Sequence, residues 1–251
     1  MTSAEPGPAR QLHRSVLDAL GTDIASGAMP TGTVLNADDL AERYGVSRTV
    51  VREVVRVLES VGLIGVRRRV GITVQPTTDW NAIDPDVIRW RLTGPERFDQ
   101  LAALGEVRLG IEPLAARLAA GRATPEQCGA LTAAVIGMSS TARAADAAAY
   151  LEHDCNFHRA LLDASANVML ISMSALVVES LAGRTRYDLM PTVADPDAIR
   201  LHGLVASAVQ MRDADAAETA MRAIVTESVD AIGAHRPTSG LPAGAQRDVH
   251  R

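Results

Sequence analysis

Apolar residues recur at every fourth position along Leu12, Val16, Leu20 and Ile24, the spacing that lays one stripe along a helix. The stripe predicts an amphipathic helix ending at Gly27, followed by a loop through Gly32 that carries its own breakers. A short helix is expected from Asn36 or Ala37 to Tyr44, where Gly45 breaks it. Ser47 is placed to cap a second helix, from Arg48 to about Val61, whose inward stripe is Val51, Val54, Val55 and Leu58. Residues 63–74 are β-branched and interrupted by Gly65 and Gly71, which reads as a hairpin with a basic tip.

Downstream the pattern changes twice. Residues 76–96 are polar and contain prolines, yet carry Trp80 and Trp90, so they read as a linker with a short helix whose tryptophans dock on a neighbouring domain. From Arg97 to about His235 the pattern is helical throughout, with helices expected over 97–120, 125–139, 144–164, 167–188, 195–212 and 214–234. Pro125, Asn167, Pro191, Pro196 and Asp213 mark their boundaries. The expected organisation is a disordered tail (1–9), a winged helix-turn-helix (10–75), the linker (76–96), a helical domain (97–235) and a second disordered tail (236–251). The fold class is mainly α, an N-terminal winged helix-turn-helix followed by an all-helical bundle.

A net charge of −5 does not announce a nucleic-acid partner, but its distribution does. Residues 43–71 hold seven arginines against Glu53 and Glu59, a local charge of +5, so the remainder carries −10. That split suits a polyanion-binding surface on an acidic body. No stretch approaches 18 consecutive apolar residues and no charged-then-apolar leader opens the chain, so neither membrane insertion nor secretion is expected. The two cysteines, Cys128 and Cys155, fit a reducing cytoplasm rather than a disulfide framework.

A helix, a glycine-containing turn and a second helix beginning Ser47-Arg48-Thr49 supply the arrangement for major-groove entry. Arg48 and Arg52, four apart, share a face suited to guanine O6 and N7 or to a phosphate clamp. Ser47 and Thr49 are short donors for a phosphate or a nearby base. Arg67, Arg68 and Arg69 at the hairpin tip are placed for the adjacent minor groove. Singly, each arginine is as well read as part of a solvated face; spacing, wing and charge reversal together point to double-stranded DNA.

In the helical half, Asp154 and His158 stand at i and i+4, so carboxylate and imidazole converge, and His202 on another helix completes a three-ligand set with open positions. The same spacing fits histidines satisfied in a core, and spacing alone leaves both readings open. Two functions of other classes compete: a small metal-dependent hydrolase built on Asp154, His158 and His202, and a helical protein-interaction scaffold. The hydrolase leaves the +5 segment unexplained, and the scaffold predicts indifference to DNA when Arg48 and Arg52 are replaced.

Residues 10–75 resemble the winged-helix domain of the GntR family of bacterial regulators. The likeness lies in Ile24-Ala-Ser-Gly27, in Leu40-Ala-Glu-Arg-Tyr-Gly-Val-Ser-Arg-Thr-Val-Val-Arg-Glu-Val-Val-Arg-Val-Leu58 and in Gly62-Leu-Ile64. It implies DNA contact by Arg48, Thr49, Arg52 and Gly71. Two departures stand out: Asp38 is acidic where a phosphate-contacting residue is commonly basic, and Val70 replaces the second glycine of the wing. Residues 106–120, Asp154-Cys-Asn-Phe-His158, Ala166-Asn167 and the His202 region resemble the effector-binding (FCD) domain of the FadR subfamily.

The resemblance implies a regulator rather than an enzyme, a homodimer that reads a pseudo-palindromic operator. It implies one divalent ion (Zn, Ni or Mn) on Asp154, His158 and His202, weakened because the fourth ligand position falls at Ile224. Arg108 is implied to face an effector carboxylate, unless it is an exposed arginine or a partner for Glu106 or Glu112. Asn156 and Asn167 would add hydrogen bonds, Asn167 being equally placed to cap a helix. The linker pattern Trp80-Asn-x-Ile-Asp-x-Asp-Val-Ile-x-Trp90 resembles galactonate-responsive repressors of that subfamily, which implies release by a sugar acid such as an aldonate.

Overall fold

The computed structural model describes residues 7–67, 69, 71–186 and 196–236, with backbone alone at Pro8 and Ala9. Helix α1 (Pro8–Ala25) starts on a proline, whose missing N–H is no loss in a first turn, and so reaches back into the segment expected to be a tail. Helix α2 (Ala37–Tyr44) is capped by Asn36, whose side chain accepts from the Asp38 N–H at 2.8 Å. Gly45 ends it at φ +63, a left-handed conformation that glycine adopts without a Cβ penalty. Ser47 then caps α3 (Arg48–Ser60), its hydroxyl accepting from the Val50 N–H.

The wing is a three-stranded antiparallel sheet of β1 (Val34–Leu35), β2 (Ile64–Arg67) and β3 (Gly71–Val74), in the order β1-β3-β2. Strand β1 was not expected: two residues are too few to show an alternation. Leu17, Leu20, Val54, Leu58, Leu63 and Ile64 are buried in the core beneath the sheet, with the inward stripe of α3 at its centre.

The linker helix α4 (Pro85–Thr93) packs two ways. Val87 and Trp90 belong to the core of the N-terminal head, whereas Ile88 and Leu92, on its other side, belong to the core of the helical half. The Trp90 indole N–H donates to Asp18 of α1 at 2.9 Å, and Trp80 donates to the Gln75 carbonyl at 3.0 Å. Both tryptophans dock on the head. Arg89 forms ion pairs with Asp18 of α1, Asp86 of its own helix and Glu179 of the helical half.

The helical half surrounds α5 (Arg97–Arg122), which packs on α11 (Ala214–His235), α7 (Ala147–Ala164), α9 (Ser174–Arg186) and α10 (Pro196–Gln210). Helix α6 (Pro125–Arg143) closes the bundle against α7 and α10, opened by a capping box in which Thr124 and Gln127 exchange hydrogen bonds. The helix expected over 167–188 is two helices in its described part. A short α8 (Val168–Ser172) ends at Met173, where the Ser174 hydroxyl donates to the Ile171 carbonyl. Serine competing for backbone groups in this way breaks a helix without any glycine or proline to mark the place. Residues 187 and 188 of that expectation, the Pro191 boundary, the second tail beyond Arg236 and the first tail before Gly7 lie outside the described residues. No described helix is long and apolar enough to cross a membrane.

Gly21 of α1 is what lets α4 approach so closely: a Cβ there would lie 2.4 Å from the Trp90 ring. Gly110 on α5 faces open space. Gly21→Ala is expected to lower unfolding free energy by about 1–3 kcal/mol through overpacking, while Gly110→Ala raises it by about 0.5–1 kcal/mol through helix propensity, both read from urea unfolding curves.

Candidate functional site

Two regions carry chemistry. At the head, Ser47, Arg48, Thr49 and Arg52 are exposed on the N-terminal turns of α3, so the candidate reading face is open to solvent. Arg67 ends β2 opposite Gly71, whose φ of +102 suits only glycine, and Arg69 turns between them at φ +69. Arg68 and Val70 lie outside the described residues. Asp38 is not a bystander: its carboxylate accepts from Arg48 Nε at 2.7 Å, both side chains being exposed. The residue that departs from the family pattern therefore occupies the first arginine of α3 and adds a negative charge beside it.

The second region is a chain of buried charges. Helix α5 contributes Arg108 and Glu112, one turn apart, joined by a 2.5 Å contact from Arg108 Nε to Glu112 Oε1. Arg108 is 1 % and Glu112 0 % exposed. The other carboxylate oxygen of Glu112 meets His158 Nδ1 of α7. His158 Nε2 in turn faces Asp154 at 3.4 Å, and His202 Nε2 of α10 faces the same Asp154 oxygen at 3.3 Å. His202 is oriented from behind as well, its Nδ1–H donating to the Ala198 carbonyl at 2.7 Å. Arg108 Nη1 also reaches Ser228 of α11 at 3.5 Å.

These contacts decide what the cluster can hold. With each Nδ1–H committed to an oxygen, the lone pair of each neutral imidazole sits on Nε2 and points at Asp154, the orientation that backing hydrogen bonds give metal-ligating histidines. His158 Nε2 and His202 Nε2 are buried without a hydrogen-bond partner among the described residues. The ligand atoms of Asp154, His158 and His202 lie within 4.8 Å of one another. Two nitrogens and a carboxylate oxygen with unfilled positions fit a borderline divalent cation such as zinc, nickel or manganese. Ile224 lines the same cavity and supplies no donor, consistent with the missing fourth ligand.

Protonation follows from the same geometry. Burial would raise the Glu112 carboxyl, but Arg108 and His158 outweigh it and hold it at about 2. Burial would lower His158, but Glu112 and Asp154 outweigh it and raise it to about 9. Burial likewise opposes ionisation of Asp154, and His158 and His202 hold it well below the usual carboxylate range. A proton on His158 and a divalent ion are thus alternative ways of neutralising Asp154.

Arg108, Asp154, His158 and His202 line a cavity of about 40 Å³ together with Tyr150, Leu181, Arg184, Ala198, Ile224, Glu227 and Ser228. The Nη2 of Arg108 is buried without a hydrogen-bond partner among the described residues. Asn156 is exposed and accepts from Arg159, and Asn167 caps α8 by accepting from the Met169 N–H at 3.1 Å; neither lines the cavity. Sequence reasoning missed Glu112 as the centre of the chain, although its spacing four after Arg108 named it as a possible partner. It also missed Arg184, for which spacing gave no signal.

Comparison with known proteins places both regions. The bacterial regulatory protein GntR-family model matches residues 12–74, and the FCD domain model matches residues 103–227. The galactonate operon transcriptional repressor of Escherichia coli is 31 % identical over 215 residues, covering 85 % of this chain and 93 % of that protein. The chain belongs to the GntR family. This GntR-family chain is a sequence-specific DNA-binding transcriptional regulator with an FCD domain. An uncharacterized helix-turn-helix regulator of Mycobacterium tuberculosis is 34 % identical over 185 residues, 72 % of each chain. Among solved structures, E. coli McbR/YncC matches with a TM-score of 0.54 at 20 % identity, covering 93 % of this chain and 99 % of its own, a likeness of fold.

Two outcomes are expected. Removing the charge that occupies Arg48, by Asp38→Asn, strengthens DNA binding severalfold and steepens its salt dependence, measured by fluorescence anisotropy at 50–200 mM salt, where each phosphate contact adds about 0.9 to the slope. In EDTA-treated protein the His158 contribution to stability is fully present below the unfolded value of 6.5 and is lost as pH rises to about 9. The Glu112 contribution is present above 4.5 and is lost as pH falls toward 2. Urea unfolding should therefore show lower stability at pH 9 than at pH 6, a difference that disappears in His158→Asn.

Proposed function

We propose that the chain is a homodimeric repressor of the FadR subfamily, released from its operator by a small carboxylate such as a sugar acid. The observation that carries this reading is the buried, half-satisfied arginine: Arg108 spends Nε on Glu112, keeps an Nη2 without a hydrogen-bond partner among the described residues, and lines the cavity that Asp154, His158 and His202 also line. A desolvated guanidinium with a free N–H is a carboxylate receptor that fixes charge and orientation together. A divalent ion on Asp154, His158 and His202 would supply Lewis-acid attraction for the oxygens of the same ligand. The resemblance to a galactonate operon repressor over most of both chains favours a sugar acid within this class.

The cavity size adds a mechanism. About 40 Å³ admits an ion with a water or two, whereas pockets for organic ligands run to about 300 Å³ or more. An aldonate therefore binds only a more open arrangement of α5, α9, α10 and α11. A ligand that binds one of two arrangements shifts the population toward it by its difference in affinity. Two heads joined by a dimer read half-sites at a fixed spacing, so a change in their separation releases the operator. On the DNA, Ser47, Arg48, Thr49 and Arg52 read the major groove while Arg67, Arg68, Arg69 and Gly71 follow the backbone and minor groove.

The test is to select a preferred duplex from a random pool with the full chain, then titrate it in anisotropy. Arg48→Ala with Arg52→Ala should cost on the order of 100-fold at the selected site, at about 1–3 kcal/mol per base-reading arginine. A panel of sugar acids, added with and without supplied Mn²⁺, should weaken operator binding at least tenfold for one member. Operator affinity that no acid changes under either condition sinks the effector reading and leaves the DNA reading standing.

A further inference from the structure

Arg184 of α9 lines the same cavity as Arg108 yet has no part in the Arg108–Glu112–His158 chain. Its Nε is buried and without a hydrogen-bond partner among the described residues. Burial, and next to it the charge of Arg108, outweigh the nearby Asp154 and Glu227 and draw its guanidinium down to about 10. Interior donors in folded proteins are nearly always satisfied, and one that is not calls for a partner that completes the site. Buried Arg108 and partly buried Arg184 face one small space, each keeping an N–H without a hydrogen-bond partner among the described residues. Asp154 and Glu227 line the same space and offset part of their mutual repulsion, and an incoming anion that takes both free N–H groups offsets more of it.

We propose that Arg184 is the second anchor of the ligand, so that one carboxylate is gripped between Arg108 of α5 and Arg184 of α9. This rests on the carboxylate reading given above and narrows it. The ligand class becomes a hydroxy acid whose carboxylate spans the two guanidiniums and whose neighbouring oxygen faces Asp154, His158 and His202. Two anchors on two helices also explain how occupancy is felt outside the cavity. On an adjacent face of α9, Glu179 holds Arg89 of the linker helix at 3.3 Å, and Gly183 lies so close to Leu92 that a Cβ would stand 2.6 Å from its methyl. Arg89 continues to Asp18 of α1. A ligand that draws on both arginines therefore acts on α9 and α5 together, the two bundle helices that pack against the linker helix.

The test uses the full chain supplied with Mn²⁺, titrated by calorimetry with acetate, glycolate and D-galactonate, and with galactitol as the uncharged counterpart. Arg184→Gln should weaken the carboxylates that bind wild type at least tenfold, leave Mn²⁺ affinity within about twofold, and Arg184→Lys should fall between. Wild-type carboxylate affinity in Arg184→Gln, with Mn²⁺ binding and far-UV circular dichroism intact, overturns the role of Arg184 alone. Should the Gln variant not fold, the Lys variant decides: threefold or greater weakening supports the proposal, and undiminished affinity overturns it. If no carboxylate binds the wild type while Mn²⁺ does, the carboxylate reading falls, and the role of Arg184 falls with it.

Discussion

The wholly buried ion pair of Arg108 and Glu112 is the contact on which the candidate site of the helical half depends. Taking two charges out of water costs several kcal/mol per ion, and Coulomb attraction repays this only where the remaining lone pairs are also used. Glu112 uses its second oxygen on His158 Nδ1, and that fixes the ring so that Nε2 faces Asp154. The Ala198 carbonyl does the same for His202. The three ligand atoms on α7 and α10 converge because their rings are held from behind by an α5 carboxylate and an α10 carbonyl. Replacing either member of the pair leaves the other charged and buried, so this part of the bundle tolerates few partial changes.

What could be read from the sequence divides along the range of the forces involved. The head was legible because its punctuation is local: Asn36 and Ser47 cap, Gly45 turns, and the apolar stripe of α3 faces its core. Two residues of β1 carried no period, and the break at Met173 comes from serine side chains competing for carbonyls, which propensity does not show. Asp154 and His158 were legible at one helical turn, and their meeting with His202 was conjecture until α7 and α10 packed. Glu112 and Arg184 were set by tertiary packing across some tens of residues. The exposure of Asn156 follows from helix phase: it stands about 200° round α7 from Asp154, so a position between two inward ligands points outward.

The N-terminal head and the helical bundle meet through α4 rather than through a free tether. Its apolar residues are divided between two cores, and Arg89 is bonded to α1, α4 and α9 at once. Exposed ion pairs contribute little, but Arg89 is half-buried and its partners belong to three different elements, so its geometry is sensitive to their relative placement. A shift of α9 by a fraction of an ångström has to be taken up by this arginine or passed on to α1.

The chain contains two tryptophans, Trp80 and Trp90, and both lie at this junction. The buried indole of Trp90 rests on Gly21 and donates to Asp18, a carboxylate that Arg89 also holds. Indole emission depends on nearby charge and water, so the native fluorescence of this protein comes almost wholly from the joint between its two halves. Excited beyond the tyrosine band, the molecule carries its own unlabelled optical gauge of interdomain geometry, with no indole in α3 or in the cavity lining.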